Sequence, residues 1–121
     1  MKDETGQAMA LILMGDANSD KGERERSLEN YNSALVAATS AEAPSLKALA
    51  LLSMGYAAAD LGDKQRARGF FKETLNRAKL LGDQKLEAKA WAALGQISSA
   101  LGEKDQALAL FQKAAVILRG R

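Results

Sequence analysis

The sequence contains no cysteine, no histidine and a single proline in 121 residues. Without cysteine there can be no disulfide framework, no thiol nucleophile and no thiolate-bound metal. Without histidine the usual general base and the commonest metal ligand are missing as well. Catalysis would have to rest on carboxylates, lysines and two tyrosines, and no grouping of these in the sequence suggests a reactive pocket. The expectation is a protein that binds and does not react, with no enzyme activity, no cofactor and no metal. Valine, isoleucine and threonine together number eight, which starves any β-sheet of its preferred residues. The longest apolar run, Ala8 to Met14, has seven residues, against the roughly 20 needed to cross a bilayer. It is also too short, with acidic residues before it, to serve as a signal core. These absences predict a soluble cytoplasmic chain with no membrane insertion. The net charge of +2 is diffuse, and only six residues are aromatic. No nucleic-acid partner is expected on that surface.

What is abundant is equally telling. Alanine and leucine supply 42 of the 121 residues, a composition suited to close-packed helices. Charge is unevenly spread: residues 1–40 carry four basic and seven acidic side chains, residues 41–80 seven and four, and residues 81–121 six and four. The glycines fall into a register. Gly15, Gly55 and Gly95 stand 40 apart, as do Gly22, Gly62 and Gly102. Superposing three copies at that period aligns Leu11, Leu51 and Trp91; Met14, Met54 and Leu94; Ser27, Ala67 and Ala107; Tyr31, Phe71 and Phe111; and Ala34, Thr74 and Ala114. Such a period is the mark of a repeat array.

Within each copy the apolar spacing is helical, as at Leu51, Met54, Gly55 and Ala58. Gly22, Gly62 and Gly102 suit the left-handed residue that closes a helix. Gly82-Asp83 supplies a closing glycine followed by an N-cap, and Ala43-Pro44 puts the proline in a first helical turn. Six helices are predicted, near 3–20, 24–39, 43–61, 64–81, 84–101 and 104–119. In each pair, the glycine at 15, 55 or 95 should face the small residue at 27, 67 or 107. The aromatic at 31, 71 or 111 then fills the wider gap beyond.

Trp91-x2-Leu94-Gly95, Leu101-Gly102, Ala107-x3-Phe111 and Ala114 resemble the tetratricopeptide repeat signature, and Gly55, Leu61-Gly62 and Ala67-x3-Phe71 follow it nearly as closely. The first copy is degenerate, with Asn18 and Lys21 where bulky apolar residues would stand. The 40-residue period exceeds the common 34, and the closing proline of the motif is absent. This longer form is similar to the repeats of kinesin light chains, spindle-orientation adaptors and bacterial regulators that carry a Leu-Gly-Asp segment, as Leu81-Gly82-Asp83 does here. The resemblance implies one all-α domain over residues 1–121. It would be a right-handed superhelical solenoid of three helix-turn-helix repeats, near 3–41, 42–81 and 82–121.

It also implies function. Proteins of this kind are non-enzymatic protein-protein interaction modules whose first helices line a concave groove. Carried onto this sequence, the groove positions are Met9, Ile12, Asp16 and Ser19; Leu49, Leu52, Tyr56 and Ala59; and Lys89, Ala92, Gln96 and Ser99. Met9, Ile12, Leu49, Leu52 and Tyr56 would form an apolar patch unless the helices pack tighter than assumed, with Asp16, Asp60 and Lys89 setting polarity. The chaperone-tail carboxylate clamp and the asparagine ladder of related grooves are missing. The occupant expected is therefore a partner peptide or amphipathic helix.

Other motifs carry less. Asp16 to Gly22 resembles a calcium loop but has Lys21 and Ser27 where the turn glycine and the bidentate glutamate are required. Gly62-Asp63-Lys64 lacks the rest of a phosphate loop. Lys64, Arg68, Lys72 and Lys79 share a face that reads as a solvated convex surface. Finally, the first helix is apolar all round at Ala8–Met14, and the last carries Leu108, Leu110, Phe111, Val116, Ile117 and Leu118. Terminal helices of arrays are normally polar outside. The alternative reading is therefore an assembly protein that self-associates through its terminal helices, or a piece of a longer array.

Overall fold

The structure is a computed structural model that describes residues 3–120. It consists of six helices: α1 (Glu4–Asp20), α2 (Arg24–Ser40), α3 (Pro44–Asp60), α4 (Lys64–Leu81), α5 (Gln84–Ala100) and α6 (Lys104–Arg119). Each agrees with its predicted span to within a residue or so, and no strand occurs among the described residues. Each helix packs on its neighbours in sequence order, so α1/α2, α3/α4 and α5/α6 form three hairpins that stack through α2–α3 and α4–α5. The result is an all-α solenoid.

The helix boundaries follow from local chemistry. Asp3, Asp63 and Asp83 accept hydrogen bonds from the backbone N–H of Gly6, Arg66 and Leu86 at 2.9, 3.1 and 3.0 Å, which satisfies donors the helix itself leaves free. Pro44 occupies the first turn of α3, where its missing N–H costs nothing. The five turns recur every 20 residues. At each, the residue after the left-handed position donates to the carbonyl five back: Glu23 to Asn18, Ala43 to Ala38, Asp63 to Ala58, Asp83 to Ala78 and Glu103 to Ser98. Four of these positions are glycine. The fifth is Glu42, which holds φ at 54°, a conformation that crowds a Cβ against the backbone.

Alanine dominates the core, supplying 14 of the 24 buried apolar residues described. Small side chains let helix axes approach, and the few large ones fill what remains. One cluster joins α1, α2 and α3 around Ile12, Tyr31 and Met54; a second joins α3 to α6 around Leu52, Phe71, Leu86 and Leu94, with Phe70 packed against both.

The matched glycines act differently from expectation. A Cβ on Gly15, Gly55 or Gly95 would meet the ring of Tyr31, Phe71 or Phe111, at 2.5, 2.3 and 2.8 Å from the nearest ring carbon. Ser27, Ala67 and Ala107 are not among the closest atoms. The glycine thus seats the aromatic ring of its own hairpin, because the ring's Cδ1, Cε1 and Cζ lie too close to leave room for even a methyl group.

The basic row on α4 is also not simply solvated. Arg68 pairs with Glu103 at 2.6 Å, tying α4 to the α5–α6 turn, and the Lys79 Nζ lies 5.1 Å from the Trp91 ring centre. Lys64 and Lys72 make no such contact; Lys72 is exposed, and Lys64 is half-buried at the start of α4.

Candidate functional site

The face built by α1, α3 and α5 carries the positions singled out from the sequence. Met9 and Tyr56 are exposed, Leu49 is half-buried, and Asp16, Asp60, Lys89 and Gln96 are exposed. Ile12 and Leu52 are not on the surface. Both are buried, Ile12 beside Tyr31 and Leu52 beside Phe71. The alanine-rich helices pack tighter than an open five-residue apolar patch requires, so the patch shrinks to Met9, Leu49 and Tyr56.

Two of the expected residues do converge. Leu49 from α3 and Lys89 from α5 line a cleft of about 230 Å³ together with Ser45, Asp83, Lys85 and Leu86. Leu49 and Leu86 give it an apolar lining, and two lysines one helical turn apart, Lys85 and Lys89, border it as well. Asp83 is occupied in capping α5. Lys85, Leu86 and Ser45 were not foreseen. The i, i+4 spacing of Lys85 and Lys89 was readable, but only the α3–α5 contact shows that it faces Leu49.

The other end of the same face is acidic. Tyr31 donates a hydrogen bond to the Asp16 carboxylate. Burial first, then Asp16 and more weakly Asp20 and Asp60, push the Tyr31 hydroxyl well above the ordinary tyrosine pKa, because each disfavours the phenolate. Asp16 is therefore engaged within its own hairpin. At the matching place in the next copy, Tyr56 meets Phe71 edge to face at 5.1 Å and 65°, and partial burial raises its hydroxyl pKa too. The face thus runs from carboxylates at Asp16, Asp20 and Asp60 to lysines at Lys85 and Lys89.

The α4–α6 side holds a larger cleft of about 580 Å³, whose lining includes Lys79, Glu87, Trp91, Lys113, Val116 and Ile117. Trp91, expected only as a repeat position, donates its indole N–H to Glu87 at 3.1 Å. The ammonium groups of Lys79 and Lys113 lie 5.1 and 4.9 Å from its ring centre, within reach of the ring's negative face. Pairing of Lys79 and Lys113 with Trp91 depends on three helices and had no signal in the sequence. Among the described residues no group of carboxylates is arranged to hold a metal ion, and no helix is long and apolar enough to cross a membrane.

Comparison with known proteins agrees with this architecture. Residues 88–115, most of α5 and α6, match the family model of the tetratricopeptide repeat. No curated protein sequence matches the chain. Among solved structures, the TPR domain of FLU from Arabidopsis superposes with a TM-score of 0.89 at 17% identity, covering 98% of this chain and 99% of that one. BtubC from P. vanneervenii gives 0.91 at 18% identity, covering 100% of this chain and 49% of that one. A Rap protein complexed with competence and sporulation factor gives 0.82 at 24% identity, over 91% of this chain and 31% of that one. This chain therefore spans about half of the second protein and less than a third of the Rap protein. Likeness at these identities is likeness of fold. The third hairpin matches the tetratricopeptide-repeat family model, and the chain as a whole has an all-α solenoid fold like that of tetratricopeptide-repeat domains.

Proposed function

We propose that the chain is a non-enzymatic interaction module that binds a partner segment across the α1/α3/α5 face. Folds of this type generally serve as scaffolds for other proteins. The observation that carries the reading is the α3–α5 cleft, which gathers the apolar Leu49 and Leu86 beside Lys85 and Lys89. An apolar side chain next to an acidic one would satisfy both the leucines and the lysines. Met9 and Tyr56 extend the contact, and Asp16, Asp20 and Asp60 favour a basic residue at the far end. The occupant is thus an amphipathic peptide or helix with opposite charges at its two ends.

The test is a selection from displayed random peptides, followed by fluorescence anisotropy of the winners on the wild type and on a Leu49→Glu, Lys89→Glu variant of unchanged helicity. The variant should lose affinity by about tenfold or more, equivalent to roughly 1.4 kcal/mol. Equal binding by both proteins would place recognition elsewhere. Leu52 is unsuitable for such a variant because its side chain is part of the core.

A further inference from the structure

The two terminal helices expose the two halves of an interface that the chain already makes twice internally. In the α2–α3 and α4–α5 contacts, the first helix of one hairpin buries one stripe against the second helix of the hairpin before it. On the incoming helix that stripe is Ala50, Met54 and Ala57 in α3, and Ala90, Leu94 and Ile97 in α5, all buried. The matching residues of α1 are Ala10, Met14 and Ala17, and all three are exposed. Met14 is 51% exposed, where Met54 is 4%. On the receiving helix the stripe is Leu28, Tyr31, Leu35 and Ala38 in α2, and Arg68, Phe71, Leu75 and Ala78 in α4, each buried or half-buried. Its counterpart in α6 is Leu108, Phe111, Ala115 and Leu118. Here Leu118 is 63% exposed, and Phe111 is 38% exposed where Phe71 is 1%. Of the twelve large apolar side chains exposed in the described residues, seven lie on α1 and α6.

We propose that these faces bind each other: α1 of one copy of this chain docks on α6 of a second, in the register that α3 takes on α2 and α5 on α4. Charge agrees with this choice of occupant. The first 40 residues carry an acidic excess of three and residues 81–121 a basic excess of two. Glu25 and Arg66 line one cleft at the internal α2–α4 junction. Their register counterparts across the new junction are Asp105 and Arg26 of the other copy, again of opposite sign. The contact is head to tail, so it leaves a free α1 at one end and a free α6 at the other. Association is therefore open-ended and has no twofold symmetry.

Sedimentation velocity tests this. The wild-type chain should show a weight-average mass that climbs with concentration past twice its 12.9 kDa. Met14→Glu alone and Leu118→Glu alone should each stay monomeric. Mixed in equal amounts, the two should form a dimer, since the intact α6 of the first can receive the intact α1 of the second. A wild type that stays monomeric overturns the proposal, as does a mixture that does. A dimer of either variant alone would show a symmetric contact and overturn it too. A second measurement needs no variant: in a dilution series of the wild type, amide chemical shifts should move at Met14, Ala17, Phe111 and Leu118 and hold still in α3. Shifts spread evenly over the chain would refute the register. Neither measurement touches Leu49 or Lys89, so this proposal and the groove reading succeed or fail separately.

Discussion

Gly55→Ala is the sharpest test of the packing, because two effects of opposite sign meet at one atom. In a helix interior, alanine is favoured over glycine by ~1 kcal/mol. Against this, the new Cβ would sit 2.3 Å from Cε1, 2.6 Å from Cδ1 and 2.9 Å from Cζ of Phe71. Ordinary contact begins near 3.4 Å, so the ring must retreat by about 1 Å. It has little room to do so: Phe71 is buried within the α3–α6 cluster and meets Tyr56 edge to face. Overpacking of this kind costs ~1–3 kcal/mol, which leaves a net loss of up to ~2 kcal/mol and a melting point lower by up to about 12 °C for a chain of this size. Two companions calibrate the result. Gly69 is exposed in α4 with nothing within 4 Å of its would-be Cβ, so Gly69→Ala should gain ~1 kcal/mol and melt about 3–6 °C higher. Gly95→Ala should change little, because Phe111 is partly exposed and free to tilt away. Thermal melts followed by circular dichroism on the three variants decide the matter. If Gly55→Ala melts as high as Gly69→Ala, the close seat of Phe71 on α3 is wrong.

Three further outcomes are expected. Glu42→Gly should stabilise the chain by ~0.5–1 kcal/mol in urea titration, since relief of left-handed strain of ~1–2 kcal/mol exceeds the entropic cost of glycine of ~0.5–1 kcal/mol; a destabilised variant would show that Glu42 makes a contact outweighing its strain. Arg68→Ala and Glu103→Ala, each alone and combined, should give a coupling of ~0.5–1 kcal/mol for this part-exposed pair, and strict additivity would dissolve the link between α4 and the α5–α6 turn. Tyr31 is held neutral in the folded chain, so its contribution to stability is complete below the unfolded tyrosine pKa of about 10 and is lost as pH rises from there towards the higher folded value. Wild type should lose more stability than Tyr31→Phe between pH 9 and about 11, and absorbance at about 295 nm should show no phenolate from Tyr31 at the ordinary pKa. Parallel behaviour of the two proteins would refute the burial of the Tyr31 hydroxyl and its contact with Asp16.

The proposed binding face was only partly readable in advance. Register placed Met9, Leu49, Tyr56, Lys89 and Gln96 on surface that is at least partly accessible. It misplaced Ile12 and Leu52, because a repeat alignment gives the direction of a side chain from its helix and not the distance to the next helix. With so many alanines in the interfaces, that distance is short enough to close over both side chains. The glycines at 15, 55 and 95 show the same limit. Their period was plain, but the partner that needs the space is the ring at 31, 71 or 111. Trp91 with its two lysines lay beyond reach for a similar reason, since Lys79, Trp91 and Lys113 come from three helices.

By itself the sequence determined the number of helices, their ends and their pairing. Those depend on contacts a few residues apart: aspartate caps, left-handed glycines, and a 40-residue repeat of apolar positions. Its lack of cysteine and histidine excluded thiol and imidazole chemistry at the outset. Tertiary structure alone decided which apolar residues reach the surface, which charges are already partnered, and that Met14 and Leu118 lie open where their internal counterparts are covered. Burial depends on how closely one helix lies on another, and that closeness is set by side chains distant in the chain.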